Sequence, residues 1–271
     1  MSLTVAPIPR YTVQILLPYA QALDPAVVHR QLLMWRDDVE AIGATRPDHF
    51  GFAIPTHDLP LLAHVFHAPA DAYGAQLDDA LAWSPSWPER HAAVGRCTSS
   101  IVVSMIAHRA VNHATLLLAF LSVLDTVLGS VDDLRTAVLH WLPAQRVLPF
   151  AQYRMLRMEL GPCGPAVNVR IAPISPTDMI ADTVGLTGLG LPDLQTITPC
   201  TDAAAITGKL VQLARTMFVG DPLDVAWTEQ SAIVLPCRDA LTVQLDDDTG
   251  FMADIARHRP WSPGAEDTPQ H

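Results

Sequence analysis

The order in which strand and helix signals follow one another between Tyr11 and Met105 constrains this chain more than any single motif does. Tyr11-Thr-Val-Gln-Ile-Leu-Leu-Pro-Tyr19 is rich in β-branched and aromatic residues and reads as a strand. Asp24-Pro25 then supplies a cap and a first-turn proline for a helix running to about Glu40. Phe50 to Ile54 and Leu59 to Ala68 read as two short strands around Pro55-Thr-His-Asp58, and Asp71 caps a helix that reaches Trp83 and breaks at Ser84-Pro-Ser-Trp-Pro88. Val94 to Met105, with Ser-Ile-Val-Val-Ser inside it, reads as a closing strand. The sequence β-α-β-β-α-β is the split β-α-β, or ferredoxin-like, pattern. It predicts one sheet over residues 11–105 with helices on one face.

The second half is less regular. From Ala107 to about Leu160 the pattern reads as helix in three pieces, broken at Gly129-Ser130, where Asp132 caps the next piece, and at Pro143 and Pro149. Val167 to Ile174 alternates as a half-buried strand should, and Thr183 to Thr198 is punctuated by Gly185, Gly188, Gly190 and Pro192. Asp202 caps a helix to about Val219, Gly220-Asp-Pro222 stops it, and Ala232 to Leu235 and Ala240 to Leu245 read as a hairpin. The expectation is an α+β protein: an extension over residues 1–10, a body over 11–250 and a polar tail over 251–271. The body is either one domain or two pseudo-equivalent halves, 11–105 and 161–250, around a helical middle.

Composition narrows the function classes. With 271 residues, 49% hydrophobic and 17% charged, the chain can bury a core without staples and is not a disordered one. Lys and Arg number 17 against 28 Asp and Glu, and the resulting formal charge of −11 argues against general affinity for nucleic acid or anionic lipid. The most apolar run, Ala110 to Leu128, contains Asn112, His113 and Asp125 and reads as a buried helix, with no membrane span expected. Cys97, Cys163, Cys200 and Cys237 form no Cys-x-x-Cys pair. They read as reduced thiols, and Met1 to Arg10 lacks the basic and apolar regions of a secretory leader, so a cytoplasmic protein is expected.

Motifs for chemistry are weak. His64 and His67 lie three apart in an expected strand, where they point to opposite faces and cannot share an ion. His108 and His113, five apart at the start of a helix, do not face the same way either. Asp246-Asp247-Asp248-Thr249-Gly250 lacks the spacing and the distal glutamate of a calcium loop and reads as a solvated turn. Gly185-Leu-Thr-Gly-Leu-Gly190 is not in the order of a nucleotide-binding loop, and these glycines are expected to serve backbone geometry. Cys97 and Cys163 sit in no catalytic signature, Cys163 being expected on an exposed turn. No catalytic, cofactor-binding or metal-binding residue is assigned.

Asp182-Thr-Val-Gly-Leu-Thr-Gly-Leu-Gly-Leu-Pro-Asp-Leu-Gln195 resembles the late core motif of domain-of-unknown-function family 4261. The resemblance extends upstream through Phe66-His-Ala-Pro69, Ala80-Leu-Ala-Trp83 and the region from His91 to His108, although the glycine-rich Asp-Gly-x-Thr ending is absent. It implies no reaction and no catalytic residue. What it does imply is company, since similar bacterial families occur among toxin-immunity and secretion-associated genes. The leading expectation is therefore a non-enzymatic module that binds another protein, for example a basic toxin or secretion component, through acidic side chains at Asp37, Asp38, Glu40, Asp246, Asp247 and Asp248. The alternative is a hydrolase or transferase whose site is assembled from scattered His, Asp and Cys residues.

Overall fold

The computed structural model describes residues 10–219 except 58, 85–86, 108–111, 192 and 200–202, together with the strand segments 232–236 and 240–245. The fold is α+β, with two sheets. The larger is built from β1 (Arg10–Leu17), β2 (Glu40–Arg46), β3 (His49–Ile54), β4 (Leu61–Pro69), β5 (Ser99–Ile106), β6 (Val138–Trp141) and β7 (Arg146–Pro149), in the order β2-β3-β4-β5-β1-β6-β7. The smaller consists of β8 (Asn168–Pro173), β9 (Asp178–Val184), β10 (Asp193–Pro199), β11 (Ala232–Pro236) and β12 (Ala240–Leu245), in the order β11-β12-β10-β9-β8.

Strand alternation decides what each face of the larger sheet meets. On β1, Tyr11, Val13, Ile15 and Leu17 point to one side and are buried there with Ile101, Val103 and Met105 of β5 and Val65 of β4. Helices α1 (Pro25–Trp35) and α4 (His113–Gly129) cover that side. Asp24 caps α1 by accepting from the Ala26 N–H at 2.9 Å, and Asn112 caps α4 by accepting from Ala114 and Thr115. α4 is apolar almost all round and is correspondingly enclosed, with Leu116, Leu117, Phe120, Leu121, Leu124 and Val127 fully buried. Helix α7 (Ala203–Val219) packs Ile206, Leu210, Leu213 and Met217 against β8 and β9 and joins the same core. The opposite face of the larger sheet is covered only in part: Leu16, Val138 and Val147 form a separate small core with Leu77, Ala80 and Leu81 of α2 (Gly74–Ala82) and Ala93 of α3 (Arg90–Val94).

The two sheets are tied at one corner. Arg146 of β7 donates to the carbonyls of Gly164 (3.0 Å) and Val167 (2.6 Å), and Asn168 of β8 donates to Gln145 O at 3.1 Å. The Gly164 and Val167 carbonyls lie where α5 (Phe150–Leu160) and α6 (Cys163–Ala166) hand the chain to β8. Burial without a carboxylate partner pulls the Arg146 guanidinium down to about 10.

Several expectations change. A ferredoxin-like sheet, itself antiparallel, would set the first expected strand between the third and the fourth. Here β5 lies between β4 and β1, and every neighbouring pair of the larger sheet is antiparallel. After β4 the chain turns, with Ala72 N–H donating to Pro69 O and Gly74 N–H to Asp71 O. The chain is sent back so that Pro69 pairs with Ser99 across α2 and α3. Helices cover both faces rather than one. The expected helix to Glu40 ends at Trp35, and Glu40–Arg46 is a strand. The helical middle keeps α4 and α5 but holds a hairpin between them, because Pro143 and Pro149 bracket the β-forming Val147 and Leu148. Tyr73 rather than Asp71 precedes α2, and no side chain caps it.

Candidate ligand-binding site

The register of the larger sheet lays out one continuous row of side chains on the partly covered face: Arg46, His49, Phe66, Val102, Gln14, His140 and Val147, each opposite the next on seven consecutive strands. A parallel row runs Ile42, Gly51, His64, Ser104 and Thr12. At one end these rows pass under α2 and α3. At the other end no described helix lies over them.

Under the helices the polar members are sealed and hydrogen-bonded. Gln14 Nε2 donates to Ala70 O (3.0 Å) and Ser100 Oγ (3.1 Å), Ser100 Oγ donates to Ala68 O (3.0 Å), and His140 Nδ1 meets Gln14 Oε1 at 3.3 Å. An amide oxygen only accepts, so His140 carries its proton on Nδ1, and Nε2 is left buried and unpartnered among the described residues. Burial holds this imidazole neutral, pulling it down to about 4.

The open end is a concavity of about 390 Å³ lined by Ile42, Gly43, Arg46, His49, Phe50, Gly51 and His64. Backbone geometry makes it. Gly43 sits at φ 72°, in the left-handed region that glycine tolerates, and the register slips between Ile42 and Arg46, which curls the end of β2. A side chain at Gly51 would lie 3.0 Å from Ala63 O and 3.1 Å from Ile42 Cγ1, so glycine leaves the floor free. The His49 and His64 rings are 6.1 Å apart, and Phe66 meets His49 edge-on at 6.2 Å. Partial burial, and second the neighbouring His49, hold the His64 imidazole below its ordinary value. Arg46, His49 and His64 make no hydrogen bond or ion pair with the described residues.

Of the acidic side chains singled out in the sequence, Asp37, Asp38 and Glu40 come together at the entry to β2, and Glu40 stands on the open face opposite Ala53. Asp38 is already paired, accepting from Arg36 at 2.6 and 2.9 Å, a bond that holds its carboxyl below the usual range. Asp246, Asp247 and Asp248 lie outside the described residues, as do His108, Cys200 and Cys237. His64 and His67 do point to opposite faces, being opposite Ser104 and Ile101 on β5. Cys163 is buried within α6, not exposed on a turn, and burial pushes its thiol up to about 11; Cys97 is half-buried and also raised by burial. Both are poor nucleophiles. Arg46 and His49 escaped the sequence reading; Arg46-Pro-Asp-His49 is the turn between two strands, and past Glu40 the residues of β2 carry no strand signal.

The glycine motif is architectural. Asp193 Oδ1 accepts from Leu186 N–H (3.0 Å) and the Thr183 hydroxyl (3.2 Å), and Thr183 Oγ1 accepts from Leu194 N–H (2.7 Å), closing the loop between β9 and β10. Gly185 and Gly190 take φ 113° and 73°, and side chains there would strike Ala166 O at 2.3 Å and the His113 ring at 2.4 Å; Gly188 has no such constraint. The loop presents Gly188 O to Tyr11 Oη (2.8 Å) and His113 Nδ1 (3.1 Å), which docks it on the large core. Burial outweighs the hydrogen bonds on Asp193 and raises it to about 6.

Among the described residues, no cluster of three or more His, Cys, Asp and Glu could hold a metal ion, and no helix is long and apolar enough to cross a membrane. Comparison with protein-family models, with curated proteins and with solved structures finds no match to this chain.

Proposed function

We propose that the protein is a binding module whose partner is another protein, docked on the open half of the larger sheet and along its edge strand β2. The observation that carries this reading is a partly exposed apolar surface, Ile42, Leu62, Phe66 and Ile106, lying beside an edge strand whose outer side has no strand partner among the described residues. An unpaired edge offers a row of backbone donors and acceptors to an incoming extended segment, and the adjoining side chains supply specificity. Asp37 and Glu40 make no ion pair with the described residues at the entry to this edge, although Asp37 lies in the field of Arg36, whereas Asp38 is tied to Arg36 directly. They favour a partner segment carrying lysine or arginine at that end, in line with a basic toxin or secretion component and with the toxin-immunity setting of the family that the motif resembles. The described lining of the concavity supplies no serine, threonine, cysteine or carboxylate, which weighs against the hydrolase or transferase alternative.

The test is affinity purification from the native cell, followed by mass spectrometry and reconstitution with the purified partner. The expected result is a partner retained by the wild-type chain and lost from Phe66→Asp and Ile42→Asp, with association slowing at high salt and slowing further in Glu40→Lys. A partner held equally well by both aspartate variants would overturn the assignment of the surface.

A further inference from the structure

We propose that the concavity between Arg46, His49 and His64 binds a small organic anion, a phosphate monoester or a carboxylate, whose charged head meets these three side chains while its body lies on Ile42 above Gly51. This goes beyond protein docking, because a free ligand of that chemistry would bind whether or not a protein covers the sheet.

Three observations converge on it. The donors come from three consecutive strands, Arg46 from β2, His49 from β3 and His64 from β4, set in adjacent cross-strand rows that bring them to one hollow. None of the three makes a hydrogen bond or ion pair with the described residues. Arg36, Arg157 and Arg170, by contrast, each hold an aspartate, respectively Asp38, Asp125 and Asp182. Finally, no carboxylate of the described residues lines the hollow, although the chain as a whole carries a formal charge of −11. Facing the two imidazoles are Arg46 from β2 and each other; β5 contributes the uncharged Ser104. Asp48 in the turn before His49 and Glu40 at the far end of β2 lie outside the lining.

The chemistry matches an oxyanion. A guanidinium offers a planar fork to a carboxylate or phosphate, and an imidazole offers one N–H when neutral and two when charged. A volume of about 390 Å³ exceeds what a bare anionic head needs, and Gly51 leaves the floor flat for an attached body. Binding an anion favours the imidazolium form, so affinity rises as pH falls through the histidine range.

The experiment is a titration of the full chain followed through the side-chain NMR signals of His49 and His64. The probes are phenyl phosphate, benzoate and phenyl sulfate, the last because its charge is constant between pH 6 and 8. Saturable shifts of both rings at pH 6 are expected, and for phenyl sulfate and benzoate, whose charges do not change over this range, affinity falls about tenfold by pH 8. Arg46→Gln weakens binding by about 10- to 100-fold, the range for losing a charge-assisted hydrogen bond. Tighter binding of phenyl phosphate assigns a phosphate head, and tighter binding of benzoate a carboxylate. Absence of saturable shifts with all three probes, or shifts unchanged in Arg46→Gln, would overturn the proposal. Arg46 is exposed, so that variant keeps the fold, and because no protein partner enters the titration its failure leaves the docking reading to be judged separately.

Discussion

The two ends of one cross-strand row invite comparison. Gln14 and His140 at one end, and Arg46 and His49 at the other, lie on the same face of the same sheet in the same register. Under α2 and α3 the polar groups have nearly all found partners inside the protein, and the surrounding Leu16, Val138 and Val147 are fully enclosed. At the open end Arg46, His49 and His64 have no hydrogen-bond or ion-pair partner among the described residues, and Phe66 and Ile42 remain half-exposed. Burial forces polar groups to pair internally because an orphan is costly. Where the cover stops that pressure stops as well, and unpaired donors can be kept for something outside the chain.

The sharpest way to break this contrast is to truncate one apolar residue at each end. Leu16→Ala, at a fully buried position under α2, should cost about 2–5 kcal/mol, whereas Phe66→Ala in the open half should cost about 1 kcal/mol. Urea unfolding of the two variants checks this, and equal losses would mean that Phe66 is as well covered as Leu16. Gln14→Leu comes next. It strands Ala70 O and the His140 Nδ1–H in a sealed site and should lower stability by about 1–3 kcal/mol, read as a reduced midpoint at unchanged m-value.

Acid separates the sealed polar groups from one another. His140 has a folded value of about 4 against an ordinary 6.5, so its contribution is complete above pH 6.5. As pH falls, the unfolded chain takes up the proton first, and stability drops by up to about 1.4 kcal/mol per unit until about pH 4. Asp193 runs the other way. Raised to about 6 from 3.8, it destabilises the fold when charged and relaxes as pH falls through that window. The wild-type profile should therefore be shallow between pH 4 and 6. His140→Gln should turn it towards a gain in acid and Asp193→Asn should steepen the loss, both measured by denaturant midpoints against pH. A His140→Gln profile that superimposes on the wild type would show that the imidazole is not sealed.

The covered end was more legible in the sequence than the open one. The apolar alternation of β1, the run in β5, the Asp24 and Asp202 helix starts and the C-terminal hairpin all carry local signals, and α1, α7 and the hairpin follow them. The strand order did not show, because periodicity marks where strands lie and not which of them pair, and β5 inserts between β4 and β1 through pairings distant in sequence. β2 was lost because Glu-Ala-Ile-Gly-Ala-Thr-Arg has neither a β-branched run nor clean alternation; sheet pairing with β3 and a bulge at Gly43 override its propensity. With β2 unseen, the concavity had no third wall, and Arg46 and His49 had no reason to be joined to His64. The Gly185 to Asp193 motif was plain, and its purpose emerged only once Gly188 O was seen to meet Tyr11 and His113 from distant parts of the chain.

The smallest expected effect is the most discriminating. Arg46 is exposed and makes no hydrogen bond or ion pair among the described residues, so Arg46→Gln should shift the unfolding midpoint by no more than the equivalent of about 0.5 kcal/mol. If the cationic hollow were held together by its own charges, this substitution would matter to the fold. If instead Arg46, His49 and His64 repel one another, relieving one charge should be neutral or slightly stabilising. The His64 value is lowered first by partial burial and second by His49, whose ring lies 6.1 Å away, and not by Arg46. Arg46→Gln should therefore leave the pH response of the His64 signal unchanged, as read by histidine NMR. An unchanged response together with unchanged stability means that the open end carries charge its own fold does not use. A loss of stability comparable to that of Gln14→Leu would instead place Arg46 among the groups that hold the sheet together, and the contrast between the two ends of the row would disappear.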